Sequence, residues 1–109
     1  MPTLLRTLAA AALLAAGAAQ AGDPEFALVI RDHRFVPAEL AVPAHVKIKL
    51  QVRNEDATAE EFESRELNRE KIVVGNSTVS VWVGPLEPGV YPFFGDFHQD
   101  TAQGRLIAK

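Results

Sequence analysis

The sequence predicts an all-β sandwich, and three observations support this fold class. Apolar residues after Glu25 recur at nearly every second position. Turn-forming stretches ("VP" twice, "GN" and "PLEPG") separate the alternating segments. No long segment of the chain after Glu25 has the apolar period of a helix. Short strands at this spacing are typical of a sandwich of about seven strands.

The clearest strand is "VKIKLQVRN" (46–54), in which apolar and polar residues alternate strictly. "STVSVWV" (77–83) repeats the pattern and places Trp82 on the face opposite its valines. The polar stretch "SRELNRE" (64–70) is predicted as a short helical turn. Shorter strands are predicted at 26–30, 39–42, 71–74, 90–94 and 105–108.

The first residues of the chain have the features of an export signal. Arg6 precedes an apolar run, and Ala19-Gln20-Ala21 has the small-x-small pattern that signal peptidase recognises. The run is shorter than the roughly 20 apolar residues of a membrane-spanning helix. We therefore expect a signal peptide over 1–21, one small domain over 22–109 and a periplasmic location.

Composition excludes several classes of function. The chain contains no cysteine, and its single methionine is Met1. Thiolate chemistry is therefore excluded, and the ions that remain are hard or borderline. The net charge is −3, and no basic segment is interleaved with aromatic residues, so nucleic acid is not an expected partner. No hydrolase or phosphate-loop motif is present.

The stretch "GVYPFFGDFHQDTAQGRL" (89–106) resembles the closing motif of the blue-copper proteins, the cupredoxin family. That motif reads G-x-Y-x-F-x-C-x-x-H and is followed by a methionine. His98 matches its histidine, whereas Gly95 stands at the cysteine and Ala102 at the methionine. "FVPAELAVPAHVKIKLQVRNED" (35–56) resembles the opening motif of the family. The resemblance implies a cupredoxin-like Greek-key sandwich.

A narrower resemblance is to the periplasmic cupredoxin-like proteins of bacterial iron uptake. The stretches that carry it are "EFES" (61–64), "ELNREKIVV" (66–74) and "GDFHQDTAQGRL" (95–106). It implies an iron or copper ion as cofactor or cargo. It also implies a membrane iron permease, or another periplasmic iron-uptake protein, as partner. The implied role is accessory: delivering metal, or assisting the oxidation of ferrous ion.

His98 is the first candidate ligand because it occupies the histidine of the family motif, and neutral imidazole binds cupric and ferrous ions well. Three acids surround Phe62. The resemblance favours Glu61 and Glu63, with Glu60 in reserve. Strand parity places Glu60 on the face of Phe62 and the other two on the opposite face. The "EEFES" loop is expected to meet the loop that carries His98 at one end of the sandwich.

Further candidates flank these residues. Asp96 alternates with His98 and could share its side, and Glu66 is another acid of the same region. His33 and His45 are interpreted as surface residues. A homodimer in which the "DHRF" stretch (32–35) supplies a ligand stays an alternative.

Three functions are compatible with this pattern. The first is the iron- or copper-binding accessory protein, with a ferroxidase-type role left open. The second is a metal-free sandwich that uses the same loops as an adaptor for a protein partner. The third, an electron carrier, is the weakest because neither cysteine nor methionine is available as a ligand.

Overall fold

The computed structural model describes residues 22–109, so the predicted signal peptide (1–21) lies outside the described residues. Within 22–109, no helix has the length and apolar character needed to cross a membrane. The described chain forms nine strands and one short 3-10 helix. In chain order they are β1 (Glu25–Arg31), β2 (Arg34–Val36), β3 (Glu39–Val42), β4 (Ile48–Asn54), β5 (Glu60–Ser64), β6 (Arg69–Val73), β7 (Ser77–Val83), β8 (Gly89–Gly95), the 3-10 helix (Asp96–His98) and β9 (Gln103–Ala108).

The strands form two sheets that enclose one core. One sheet has the order β2-β1-β4-β7, and the other has the order β3-β9-β8-β5-β6. β1 is parallel to β4 and β3 is parallel to β9, whereas the other pairs are antiparallel. The predicted all-β sandwich is confirmed. The described residues contain nine strands, whereas the sequence predicts about seven. The two further strands are β2, which has only three residues, and β5, which is rich in acidic residues that are uncommon in strands.

The alternation of β4 explains its central position. Ile48, Leu50 and Val52 are at most 1% exposed, whereas Lys49 and Arg53 on the other face are much more accessible. Each apolar residue of this strand therefore contributes to the core, at roughly 1.5 to 3 kcal/mol per fully buried side chain. The polar residues form the outer surface of the four-stranded sheet.

Three phenylalanines join the two sheets beneath the candidate site. Phe35 of β2 meets Phe62 of β5 and Phe93 of β8 edge-to-face, with ring centroids 6.1 and 4.9 Å apart. The rings of Phe62 and Phe93 are tilted against each other at 5.2 Å. Edge-to-face contacts add to the burial energy of aromatic rings. This cluster therefore fixes β5 and β8, the two strands that carry the site, relative to the opposite sheet.

The helical turn predicted over 64–70 is wrong. Residues 65–68 form a turn, Asn68 has a left-handed φ of 54°, and β6 begins at Arg69. Asparagine tolerates this conformation better than most residues. The turn joins β5 and β6 into an antiparallel hairpin that pairs Glu63 with Glu70. The polar composition of this stretch suits a helix surface or an exposed strand, and pairing with β5 decides between them.

Candidate functional site

A buried carboxylate and an imidazole form the inner part of the candidate site. Glu60, the first residue of β5, is 1% exposed, and its Oε2 lies 2.5 Å from Nδ1 of His98. Its Oε1 accepts the backbone N–H groups of Phe97 at 2.8 Å and of Glu61 at 3.0 Å. A buried carboxylate needs such partners to offset the loss of hydration. Glu60 is therefore held in one orientation, and it fixes His98 in turn.

The Glu60 carboxylate occupies the space that a side chain at position 95 would need. An ideal Cβ built on Gly95 would lie 2.6 Å from Cδ of Glu60 and 2.7 Å from Cβ of Ala102. Positions 95 and 102 are those of the cysteine and methionine in the blue-copper motif. Here a carboxylate and a methyl group fill the region. Because the chain also lacks cysteine, a copper–thiolate centre does not fit these residues.

The ring of His33 stacks on the ring of His98, with centroids 3.5 Å apart and planes inclined by 11°. Ligands bind imidazole nitrogens in the ring plane, so two stacked rings are badly placed to share one ion. Because His33 is half-buried and packs on His98, the interpretation of His33 as a plain surface residue is wrong. His45, by contrast, is exposed and has a left-handed φ of 67°.

Asp56 fixes the turn that carries His33. Its carboxylate accepts the backbone N–H groups of Asp32 at 2.8 Å and of His33 at 3.0 Å. Partial burial favours the neutral acid. These two donors, together with electrostatic attraction to the imidazoles of His33 and His98, nevertheless hold the pKa of Asp56 below its ordinary value. The Asp56 carboxylate thus positions the backbone of the turn that carries His33, and with it the ring that stacks on His98.

Three carboxylates converge on the outer face of the five-stranded sheet, and we call them the acidic cluster: Glu61, Glu63 and Glu70. One carboxylate oxygen from each lies within 4.8 Å of the other two. Glu63 stands directly opposite Glu70 in the β5–β6 register, and Glu61 lies two residues away on the same face. Like charges directly opposite each other destabilise a sheet, so this arrangement is costly unless a proton or a cation is shared.

The pKa of Glu61 reflects that crowding. The side chain is only 9% exposed. Burial, the charge of Glu70, a hydrogen bond with Glu70 and the charges of Asp96 and Glu63 together raise the pKa of Glu61 from 4.5 to about 7. Near neutral pH the cluster therefore exchanges a proton readily, and a bound cation would displace that proton.

This shift predicts a pH-dependent difference between the wild type and Glu61→Gln. Between about pH 4.5 and about pH 7 the folded protein binds more protons at Glu61 than the unfolded chain does. The contribution of Glu61 to wild-type stability therefore declines across that window, and this loss persists above it. Because glutamine does not titrate, the melting temperature of the variant should rise relative to wild type as the pH increases. Thermal melts at about pH 4.5 and about pH 8 measure this, with Glu87→Gln as an exposed control. If the melting temperatures of Glu61→Gln and the wild type differed by the same amount at both pH values, the raised pKa of Glu61 would be contradicted.

The structure divides the predicted ligands between the two faces of β5. His98 meets Glu60, the reserve candidate, on the inner side. Glu61 and Glu63 lie on the outer side, where their neighbour is Glu70. Strand parity anticipates this division. Which of these residues bind an ion stays a prediction.

Asp96 and Glu66 have different positions. Asp96 begins the 3-10 helix, accepts a hydrogen bond from Gln99 at 2.7 Å, and is close enough to raise the pKa of Glu61 by its charge. Glu66 is exposed in the turn between β5 and β6. Its side chain has no hydrogen bond or ion pair within residues 22–109.

Sequence reasoning missed two residues of this region, Glu70 and Asp56. A hairpin interpretation of 60–73 would have placed Glu70 opposite Glu63, since antiparallel pairing around a four-residue turn sets that register. Asp56 follows Asn54, whose Nδ2 donates to the carbonyls of Thr58 at 2.8 Å and Val73 at 3.1 Å. No local signal links this loop to His33, which lies 23 residues earlier.

Glu60 and His98, which we call the inner pair, differ from the acidic cluster in what they can do chemically. The inner pair is closed, because the carboxylate of Glu60 is already bonded to three nitrogen atoms. The acidic cluster consists of oxygen ligands only, which suit hard cations. One oxygen from each of its three carboxylates lies within 4.8 Å of the other two.

Comparisons with known proteins agree with this architecture. A family model described as "Cupredoxin-like domain" matches residues 4–108. "Uncharacterized protein RP394" of Rickettsia prowazekii (strain Madrid E) is 52% identical over 85 residues, which are 78% of this chain and 68% of that protein.

Two solved structures are similar in fold. Auracyanin A, a "blue" copper protein from Chloroflexus aurantiacus, has a TM-score of 0.70 and 17% identity, with 81% of this chain and all of that chain covered. A chain in the cryo-EM structure of a heme-copper terminal oxidase dimer has a TM-score of 0.66 and 16% identity. In that case, 81% of this chain and 66% of the other are covered. At these identities the likeness concerns the fold alone.

Proposed function

Because this chain belongs to the cupredoxin-like domain family, we propose that it is a periplasmic accessory protein that binds an iron or copper ion for an iron transport system. The observation that carries the proposal is the acidic cluster of Glu61, Glu63 and Glu70, whose oxygens lie within 4.8 Å of one another. The partner would be a membrane iron permease or another periplasmic iron-uptake protein.

The geometry of the cluster supports cation binding. Hard ions bind oxygen ligands at roughly 2.0 to 2.6 Å. Carboxylates bound to one ion are therefore closer together than the present spacing, and side-chain rotation on the strand surface can close the gap. Glu63 and Glu70 face each other across paired strands, so the backbone holds two of the ligands in place. A cation would also remove the like-charge repulsion that raises the pKa of Glu61.

The position of the cluster favours delivery over storage. It lies on the outer face of a sheet, and Glu70 is exposed, so an ion held there would keep coordination positions for water or for ligands of a partner. The raised pKa of Glu61 adds a route for release, since protonation competes with the ion. A ferroxidase-type step is a further possibility of the same site.

A second candidate function is the metal-free adaptor, and the inner pair favours it. In the region of the blue-copper ligands, Glu60 and His98 are joined to each other at 2.5 Å. A hydrogen bond thus stabilises this end of the sandwich without an ion. If the acidic cluster does not bind metal, the same loops remain available to a protein partner.

Titration with Cu(II) and with Fe(II) by calorimetry tests the proposal. We expect Cu(II) to bind more tightly than Fe(II), following the Irving–Williams order, even if iron is the cargo. The double variant Glu63→Gln/Glu70→Gln should weaken the affinity for Cu(II) and for Fe(II) by roughly tenfold or more, because it removes two carboxylate ligands. Affinity should also fall as the pH drops through about 7, where Glu61 takes up a proton.

The controls separate the candidate sites. Glu87→Gln removes an exposed acid elsewhere and should leave the affinity unchanged. His98→Ala removes the inner imidazole. Loss of binding in His98→Ala, with Glu63→Gln/Glu70→Gln unaffected, would place the ion at the inner pair. If the wild type bound neither ion, the metal-binding proposal would be contradicted and the metal-free adaptor would remain as the candidate function.

A further inference from the structure

Trp82, in β7, is exposed and belongs to neither candidate ion site. The side chain is 41% exposed, whereas Val81 and Val83 on either side of it are buried. Trp82 stands opposite Lys49 in the β4–β7 register. The ammonium nitrogens of Lys47 and Lys49 lie 4.9 and 5.1 Å from the centroid of the indole ring. Two cations therefore flank one aromatic ring.

Two more cations line the cleft beside this ring, and they come from the other sheet. β7 is the edge strand of the four-stranded sheet, and β6 is the edge strand of the five-stranded sheet. A cleft between them is lined by Arg69, Glu70, Lys71, Ser80, Val81 and Trp82. Arg69 donates from Nε to the backbone carbonyl of Trp82 at 2.7 Å, which fixes its guanidinium against the backbone of β7. We call Lys47, Lys49, Arg69, Lys71 and Trp82 the Trp82 face.

The charge of this face opposes the net charge of the chain, which is −3. Two cations lie over the ring, and two more line the cleft beside it. The acids that accompany them are Glu25, paired with Lys49 at 3.3 Å, and Glu70, which belongs to the acidic cluster. No stretch of the sequence interleaves basic with aromatic residues. The folded chain assembles this surface because the start of β4 and the strands β6 and β7 bring separate residues together.

We propose that the Trp82 face binds an extended acidic segment of a partner protein. Lys47 and Lys49 are two residues apart on one side of an extended segment, so their Cα atoms are roughly 7 Å apart. Acidic residues at alternate positions of an extended segment have the same spacing, and their carboxylates can therefore meet both ammonium groups. The cleft between β6 and β7 is concave, which suits a polypeptide better than a flat lipid surface.

Peptide binding at the Trp82 face is separate from the proposed function because it requires no ion. The cleft and the acidic cluster share one residue, Glu70, whose carboxylate would repel an acidic peptide and not bind it. The Trp82 face supplies a docking surface to the metal-binding protein and to the adaptor alike. Failure of metal binding would therefore leave it untouched.

The experiment uses a fluorescein-labelled synthetic peptide that alternates glutamate with serine over about seven residues, the spacing set by alternate strand positions. Binding is measured by fluorescence anisotropy, and the intrinsic emission of Trp82, the sole tryptophan of the chain, is recorded in parallel with unlabelled peptide. We expect saturable binding and a change in Trp82 emission. Affinity should fall when salt rises from about 0.1 M to about 1 M, because the Debye length shortens from about 10 Å to about 3 Å.

Variants locate the binding surface. Lys47→Gln/Lys49→Gln should weaken binding by roughly five- to tenfold, as expected for the loss of two exposed charge pairs. Lys109→Gln, at an exposed position at the chain end, is the matched control, and Glu63→Gln/Glu70→Gln should not weaken binding. Equal binding of a peptide with glutamine in place of glutamate would overturn the proposal, as would wild-type affinity in the double lysine variant. So would absence of peptide binding, or binding only to anionic phosphatidylglycerol vesicles or to an oligothymidine.

Discussion

Replacing Glu60 with alanine is expected to lower the free energy of unfolding by about 3 kcal/mol, the largest effect of any exchange at the candidate site. The carboxylate is 1% exposed and accepts hydrogen bonds from the backbone of Phe97 and Glu61. Without it those two N–H groups and Nδ1 of His98 lose their partner, and a cavity remains beneath the 3-10 helix. Urea unfolding at neutral pH measures the difference.

Two controls accompany this prediction. Glu60→Gln keeps the shape and one acceptor oxygen for the backbone donors, so a smaller loss is expected than for alanine. Glu87→Ala changes an exposed glutamate and should have little effect. If Glu60→Ala and Glu87→Ala unfold at the same urea concentration, the carboxylate of Glu60 is not a structural element of the site.

Gly95→Cys is expected to lower stability and to leave the protein without the intense blue colour of a copper–thiolate site. The new Cβ would lie 2.6 Å from Cδ of Glu60 and 2.7 Å from Cβ of Ala102. Overpacking of this kind costs about 1 to 3 kcal/mol. The thiolate would also share its space with a carboxylate, so the trigonal His₂Cys arrangement of blue copper cannot form around it.

Thermal melts and visible absorption after addition of Cu(II) measure both effects. Gly89→Cys is the matched control, since a Cβ there meets its nearest side-chain atom at 3.8 Å. It should melt close to the wild type and should likewise stay colourless. An intensely blue Gly95→Cys with an unchanged melting temperature would show that Glu60 moves aside readily.

Much of the fold follows from local patterns. The period-two alternation in β4 and β7 identifies them as strands and states which residues are buried. The same alternation in "EEFES" separates Glu60 from Glu61 and Glu63. The stretch 64–70 shows the limit of this reasoning, because its composition fits both a helical turn and the hairpin that the structure has.

At the candidate site, the order of residues predicts the types of candidate ligand and the strand face of each glutamate. His98 is a candidate through its resemblance to the family motif. The exclusion of a thiolate centre and the division of the three glutamates depend on the chemistry of single residues and on geometry within one strand. Both are local properties, and they are therefore readable from the order of residues.

Which of these groups meet depends on the folded arrangement of the two sheets. His98 lies 38 residues from Glu60 in the sequence. Its ring stacks on the ring of His33, which lies in the turn between β1 and β2. Glu70 joins Glu63 through the register of a hairpin. Lys47 and Lys49, at the start of β4, lie over the ring of Trp82 in β7. Such contacts depend on how two sheets twist, pair and pack around the Phe35–Phe62–Phe93 cluster. That packing is a property of the whole core, because the register of each strand is fixed by partners distant in the chain.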